Sequence, residues 1–544
     1  MIPARFSKEH PALRIALVHP RVLDGRAETD EHLGLAYLAA SLREAGHSVA
    51  VVDATLQDLS DQEVTRSLLA FAPELVGVSI SYQRWVREAL NTIEHIRATL
   101  PDTHIVVGGQ FPSFEYERLM AETLAIDSVV IGEGDRTLPK LAAALASGSA
   151  LGLVRGIVFR DGERITRTAP QELVANLDEL PVASRDHAQL AIDRNDRLGI
   201  VASRGCFARC SFCSARAIQD VSPGAAWRGR PAADVVDEMM QLHHEYGVTR
   251  FQFWDDQFVG PGRAGFERAW ELCRILQQTE QSFEFGFDCR ADTVCKAPTL
   301  FAALKEVGLT HVYMGLESGS SERLSDYRKG VTLEQNREAI ATIRSLGVRV
   351  DFGFIMFDPD GTLDDVRHNI RALRHYGSNF RQVLGTTITP YAGTPLARRL
   401  ASEGRLIEDG FRFECTFQDP KVERAHEIIR QVVRWGDKRV PLTVSTTVLR
   451  TLLRGLDSDS LNGDGRARLH RFISDYEVAD ECYLDILDAL ISLLEAEPSA
   501  SSARVQQVLH PYQQFLEEFF DRGESIRVEL VTRGLLDDED AQRA

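Results

Sequence analysis

Three rhythms in the sequence predict an α/β protein built in three parts. Residues 14–135 alternate short apolar runs with helical periodicity, the mark of a Rossmann-like open parallel sheet. From residue 197 a strand-then-helix pattern repeats about six times, which predicts a partial (β/α)6 barrel of TIM type. Beyond residue 420 the barrel rhythm stops and only helical spacing continues. The expected division is a sheet domain at 1–150, a hairpin and linker at 151–195, the barrel at 196–415 and a helical C-terminal domain at 416–544.

The first strand is expected at Arg14-Ile-Ala-Leu-Val-His19, followed by a helix from Leu33 to Gly46. Further strands are expected at 48–53, 75–80, 105–109 and 128–135. Ligands of such sheets sit beyond the carboxyl ends of the strands. That rule selects Ser79, Ser81, Tyr82, Gly108, Gly109 and Gln110, and Glu133 in the last apolar run is a further candidate of the same edge. Paired glycines at that edge let a flat ligand approach the backbone, or they merely serve turns. Gly156 to Thr166 reads as a hairpin with an Asp-Gly turn, and the Pro-containing stretch after it as a connector.

In the second part, strands are expected at 198–203, 250–254, 283–287, 311–315, 350–355 and 383–388, with a helix starting near Pro231. Active sites of such barrels lie after the strands' carboxyl ends. There the sequence places Cys206, Cys210 and Cys213, spaced C-x3-C-x2-C, after the first strand. Three thiolates hold three irons of a [4Fe–4S] cluster and leave the fourth open to a small molecule. A structural zinc site wants a fourth Cys or His at similar spacing. The next cysteine is Cys273, and no His lies in the following 25 residues.

Composition narrows the partners. The chain has 544 residues, 44% of them hydrophobic, and a net charge of −18 from 62 Lys plus Arg against 80 Asp plus Glu. That excess disfavours a long nucleic-acid substrate. The sequence shows no signal peptide and no apolar run of membrane-spanning length. Eight cysteines without a paired framework fit a reducing, cytoplasmic setting. Helices are expected at 422–433 and 483–494. The stretch from Asp457 imitates a calcium loop but fails at Leu461 and Arg468, so it reads as a turn.

The cysteine loop resembles that of the radical S-adenosylmethionine (SAM) enzymes, and other segments extend the likeness. The resemblance implies SAM contacts from Phe212 inside the loop and from Trp254-Asp255-Asp256, where the family usually has Gly-Gly-Glu. Only one of the two acids is expected to face SAM. It also implies a contact from Arg290, which could instead pair with Asp292 and stiffen its loop. Gly315-Leu-Glu-Ser-Gly matches the family's Gly-x-Glu-Ser-Gly and brings in Glu317 and Ser318, with Gly319 allowing close approach. Asp358-Pro-Asp departs from the family's Gly-Leu-Pro-Gly-Glu. Tyr391, in Tyr-Ala-Gly-Thr-Pro, is the one catalytic candidate, and packing is its other reading.

Residues 12–145, through "GLAYLAASLREAGHSVAVVDA", "VGVSISY", "VVGGQFPS" and "VVIGEGD", resemble the cobalamin-binding domain fused ahead of many radical SAM enzymes. The Asp-x-His-x-x-Gly loop that brings a lower-ligand His in other cobalamin domains is missing. The whole is similar to the cobalamin-dependent radical SAM methyltransferases. The resemblance implies a [4Fe–4S] cluster, SAM and cobalamin, a 5′-deoxyadenosyl radical, methyl transfer to an unactivated carbon of a small natural-product-like molecule, and an electron donor such as flavodoxin or ferredoxin. A non-methylating cyclase or rearrangement enzyme and a non-catalytic sensor are the alternatives.

Overall fold

The computed structural model describes residues 11–22, 30–377, 383–437 and 463–532. Strands β1 (Arg14–His19), β2 (Ser48–Asp53), β3 (Leu75–Ser79), β4 (His104–Gly108) and β5 (Ser128–Val130) run parallel in the order β2-β1-β3-β4-β5. Both faces are covered, so each strand buries alternate residues on opposite sides. Ile15 and Leu17 join one core with the helices Leu33–Glu44 and Thr137–Ser147. Ala16 and Val18 join the other, beneath Asp61–Phe71, Val86–Thr99 and Gln110–Glu122.

The expected hairpin forms, but it does not belong to a connector. Strands β6 (Ile157–Asp161) and β7 (Arg164–Arg167) extend this sheet to seven strands, with β6 antiparallel to β5. Ile157 and Val158 are apolar and fully buried, and the edge of β5 is where they find cover.

Strands β8 (Leu198–Ile200), β11 (Arg250–Phe253), β12 (Glu284–Cys289), β13 (Leu309–Glu317) and β14 (Arg349–Phe354) form the parallel barrel sheet, in the order β14-β13-β12-β11-β8. Between β8 and β11 a short antiparallel ribbon joins β9 (Ser203–Gly205) to β10 (Trp227–Gly229). The helix expected near Pro231 runs Ala232–Tyr246, with Pro231 as its cap rather than its first residue.

The sixth position is reduced. The expected strand at 383–388 becomes one bridge between Phe357 and Thr387. Here the hydroxyl of Thr386 replaces a ladder: it donates to the Phe354 carbonyl at 2.8 Å and accepts the Met356 N–H at 3.1 Å. On β13, Val312, Met314 and Leu316 face the outer helices, while Tyr313 and Glu317 alternate to the barrel's inside.

The hairpin Leu406–Asp409 and Arg412–Cys415 sends Phe411 and Phe413 into the core of the first sheet, against Phe111. Helices Pro420–Asp437, Gly463–Ala496 and Ser502–Thr532 make up the described C-terminal region. Leu487, Leu490 and Ile491 share one core with the barrel helices, and Arg367 and Arg374 of Leu363–Tyr376 pair with Glu495 and Asp485. The calcium-loop imitation lies largely outside the described residues, and Gly463 to Arg468 are helical. The acidic tail from Asp537 lies outside them altogether.

Candidate functional site

The cysteine loop leaves the carboxyl side of β8 and β9, where the sequence placed it. Cys210 is buried, Cys206 and Cys213 are half-buried, and Cys213 caps the short helix Ser214–Gln219. Two backbone bonds fix the loop: Ser211 N–H donates to the Tyr327 carbonyl at 2.8 Å, and Leu396 N–H donates to the Ser211 carbonyl at 2.9 Å. Phe212 packs edge-on against Tyr327, ring centres 5.4 Å apart.

Burial pushes the Cys206 thiol up, and it pushes that of Cys213 up to about 12. Such thiols ionise when a metal centre supplies the compensating charge. Three cysteines on one loop, with no further Cys or His near them in the sequence, suit a [4Fe–4S] cluster, which takes each thiolate on a different iron.

The two adjacent acids separate. Asp255 is buried and accepts the Ala202 N–H at 2.9 Å and the Ser203 hydroxyl at 2.7 Å. Asp256 opens onto a cavity of about 430 Å³ between the first sheet and the barrel. Trp254, 48% exposed, lines the same cavity. Asp256 is open to the cavity by surface area yet closely ringed by protein, and desolvation followed by the Asp255 charge pushes it up to about 6. Asp288, at the end of β12, is pushed up to about 7 by burial and by both neighbours. Three carboxyls thus crowd one barrel edge, an arrangement that favours a cationic ligand.

Arg290 donates from Nε to Asp292 at 2.9 Å and from Nη2 to the Lys329 carbonyl at 2.6 Å. Glu317 sits at φ 66°, a left-handed conformation that is strained for a non-glycine residue. Its Oε1 accepts from Lys329 Nζ at 2.7 Å, and a side chain on Gly315 would place Cβ 2.3 Å from that oxygen.

Ser318 is fully buried, and its hydroxyl donates to Asn369 at 3.0 Å. Gly319 is required by packing, because a Cβ there would meet the His368 carbonyl at 2.4 Å. Tyr391 stands at the seam of the two domains, 6.5 Å from the Tyr82 ring. Gln83 bonds both the Pro390 carbonyl and the Ala392 N–H at 3.2 Å.

All seven residues chosen at the first sheet's edge line the cavity: Ser79, Ser81, Tyr82, Gly108, Gly109, Gln110 and Glu133. They differ in what they do there. A Cβ on Gly108 would meet nothing closer than 3.8 Å, so that glycine leaves a cradle open. Gly109, at φ 112°, would strike the Ile80 carbonyl at 2.5 Å and is needed for the turn. Glu133 is held by Arg228 at 2.8 Å.

Sequence reasoning missed His32 and Lys329. His32 lines the cavity; its Nδ1 accepts the Leu35 N–H at 3.2 Å, and Nε2 lies 3.1 Å from the Ser79 hydroxyl. The Leu35 bond assigns the proton to Nε2. Desolvation pushes His32 down to about 4, so it is neutral. The available signal was its place between β1 and the following helix, at the ligand-binding edge. Lys329 had no such signal, lying past the helix Ser321–Asp326 and returning to the site only through the fold.

An open parallel sheet facing a partial barrel across a shared cavity, with a three-cysteine loop at the barrel's mouth, defines a two-domain cofactor enzyme. The B12 binding domain family matches residues 20–142, and the radical SAM superfamily matches 200–373. A hopanoid C-3 methylase of Methylococcus capsulatus is 30% identical over 375 residues, covering 67% of this chain and 67% of that protein. An uncharacterised methyltransferase of Pyrococcus horikoshii is 29% identical, covering 74% and 85%. An anaerobic magnesium-protoporphyrin IX monomethyl ester cyclase of Synechocystis is 27% identical, covering 69% and 74%. The solved structure of the cobalamin-dependent SAM radical enzyme OxsB, with aqua-cobalamin and SAM bound, superposes with a TM-score of 0.78 at 19% identity, covering 98% of this chain and 82% of that one. The chain belongs to the cobalamin-dependent radical SAM enzymes, whose cofactors are a [4Fe–4S] cluster, SAM and cobalamin. Among the described residues no helix is long and apolar enough to cross a membrane.

Proposed function

We propose that this chain transfers a methyl group to an unactivated carbon of a small molecule. The observation that carries the reading is a cavity whose walls come from both domains, Ser79 and Gly108 on one side, Trp254 and Asp256 on the other. When bound, the cofactors supply the electron, the radical and the methyl group. The chain's own residues bind, orient and exclude water. Cys206, Cys210 and Cys213 would hold three irons. Asp256 supplies negative charge for the cationic end of SAM, while Asp255 fixes the barrel end beneath it. Lys329 holds the Glu317 carboxylate, whose second oxygen suits the ribose hydroxyls. Ser79, Ser81 and Tyr82 give the cobalamin side its hydrogen-bonding rim, and Gly108 gives it open backbone. An electron donor of flavodoxin or ferredoxin type and a cytoplasmic setting belong to the same reading.

The likeness to the cyclase supports a second reading, ring formation without methyl transfer. One experiment separates the two: anaerobic incubation of cluster-reconstituted protein with SAM, hydroxocobalamin, a reductant and a substrate panel. S-adenosylhomocysteine with 5′-deoxyadenosine, both lost in Cys210→Ala, is the expected outcome. Deoxyadenosine alone would replace methyl transfer with the cyclase reading.

A further inference from the structure

Strands β9 and β10 place Arg204 and Arg228 directly opposite each other, a like-charged cross-strand pair that is unfavourable by itself. The first domain supplies the opposite charges from the loop after β5. Arg204 donates its fork to both oxygens of Asp135, at 2.8 and 3.0 Å, and lies 3.7 Å from Glu133. Arg228 pairs with Glu133 at 2.8 Å and donates to Gln219 at 2.7 Å. Asp135 and Arg228 are nearly inaccessible to solvent, where a fork-on-carboxylate pair is strong and geometrically specific.

The positions of the two arginines matter more than their burial. Arg204 stands two residues before Cys206, and Gln219 ends the helix that Cys213 caps. One end of the cysteine loop is therefore fastened directly to a loop of the other domain, and the other end is tied to the same loop through Arg228. Glu133, Asp135, Arg204 and Gln219 also line the cavity itself.

We propose that Glu133, Asp135, Arg204 and Arg228 are positioning residues that transmit cobalamin occupancy of the cavity to the cysteine loop, so that SAM cleavage depends on cobalamin. The inference rests on the cofactor reading of the cavity and adds a coupling between its two halves. Coupling of this kind is reciprocal in binding and needs one mechanical element shared by both sites.

The test needs no substrate. Reductive cleavage of SAM to 5′-deoxyadenosine is measured with and without saturating hydroxocobalamin, in the parent chain and in Asp135→Asn, Arg204→Lys and the double variant Asp135→Asn/Arg204→Gln. Iron and sulfide content and the hydroxocobalamin Kd are measured alongside. The parent rate is expected to rise about fivefold or more on adding cobalamin. In the variants that ratio is expected to fall below about twofold with cluster content kept, each variant being compared at hydroxocobalamin saturating for its own measured Kd. A merely structural defect lowers both arms alike and leaves the ratio unchanged, which would overturn the proposal. Arg204→Lys keeps the buried charge and loses only the fork, so it carries the test if Asp135→Asn does not fold. A parent that binds cobalamin without any change in cleavage overturns the coupling alone. A parent that binds none overturns the cofactor reading with it.

Discussion

Successive side chains at a strand end point to opposite sides, and this sets Asp255 beneath Ala202 while Asp256 reaches the cavity. Asp256→Asn is expected to weaken SAM binding by about tenfold or more with the fold intact, read by equilibrium dialysis and circular dichroism. Asp255→Asn is expected to lower Tm first, because two buried donors lose a charged acceptor. The raised carboxyls also predict a pH effect on the cofactor-free chain. A carboxyl whose folded pKa lies above its unfolded value stabilises the fold at low pH, and this is lost as pH rises. For Asp288 the window runs from the ordinary carboxylate range to about 7. Asp288→Asn should therefore raise Tm by roughly 2–4 °C at pH 8 and leave it unchanged near pH 4. His32 gives another prediction. Its Nδ1 is taken by Leu35 N–H and its Nε2 carries the proton, so it has no lone pair to offer a metal. Electron paramagnetic resonance of protein-bound cob(II)alamin should show no splitting from a His32 nitrogen; a splitting that His32→Ala removes would refute this.

At the scale of elements, the turn after β13 is fixed by one helix. Asn369 of Leu363–Tyr376 accepts the Gly319 N–H at 2.6 Å and the Ser318 hydroxyl, and it donates to the Met356 carbonyl at 2.9 Å. That helix therefore holds Glu317 in its strained conformation from behind. Gly319→Ala drives a methyl into the His368 carbonyl, so a loss of about 1–3 kcal/mol is expected by denaturant unfolding, together with weaker SAM binding. Ser318 and Gly319 were legible as a motif, but not that Asn369 would hold both of them from the next helix. The missing sixth strand has a similar origin: Thr386 satisfies the end of β14 through its hydroxyl, which apolar alternation does not reveal.

Across the whole molecule, the hairpin after the barrel, the Tyr391 segment and the Glu133–Arg228 and Asp135–Arg204 pairs all tie one domain to the other. A ligand in the cavity touches both halves, so its binding should be read as global stability. Hydroxocobalamin at about 100 times its Kd is expected to add about 2.7 kcal/mol, seen as a rise in Tm that grows with concentration. A Tm unaffected by saturating hydroxocobalamin would mean that the cavity does not hold it.

The parallel strands of the first sheet, the first five strands of the barrel, the cysteine loop and the edge residues of the first sheet were determined by the sequence alone. They rest on local rules: period-2 and period-3.6 alternation, short spacing and the carboxyl-end rule for parallel sheets. Only the tertiary structure decided that Asp256 and not Asp255 opens to the cavity, that Arg290 pairs with Asp292, that His32 and Lys329 reach the site, and that Asp135 grips Arg204. Each of these is a contact between elements far apart in the chain or a choice between two orientations. Burial, charge pairing and hydrogen-bond satisfaction settle such choices once the elements have packed.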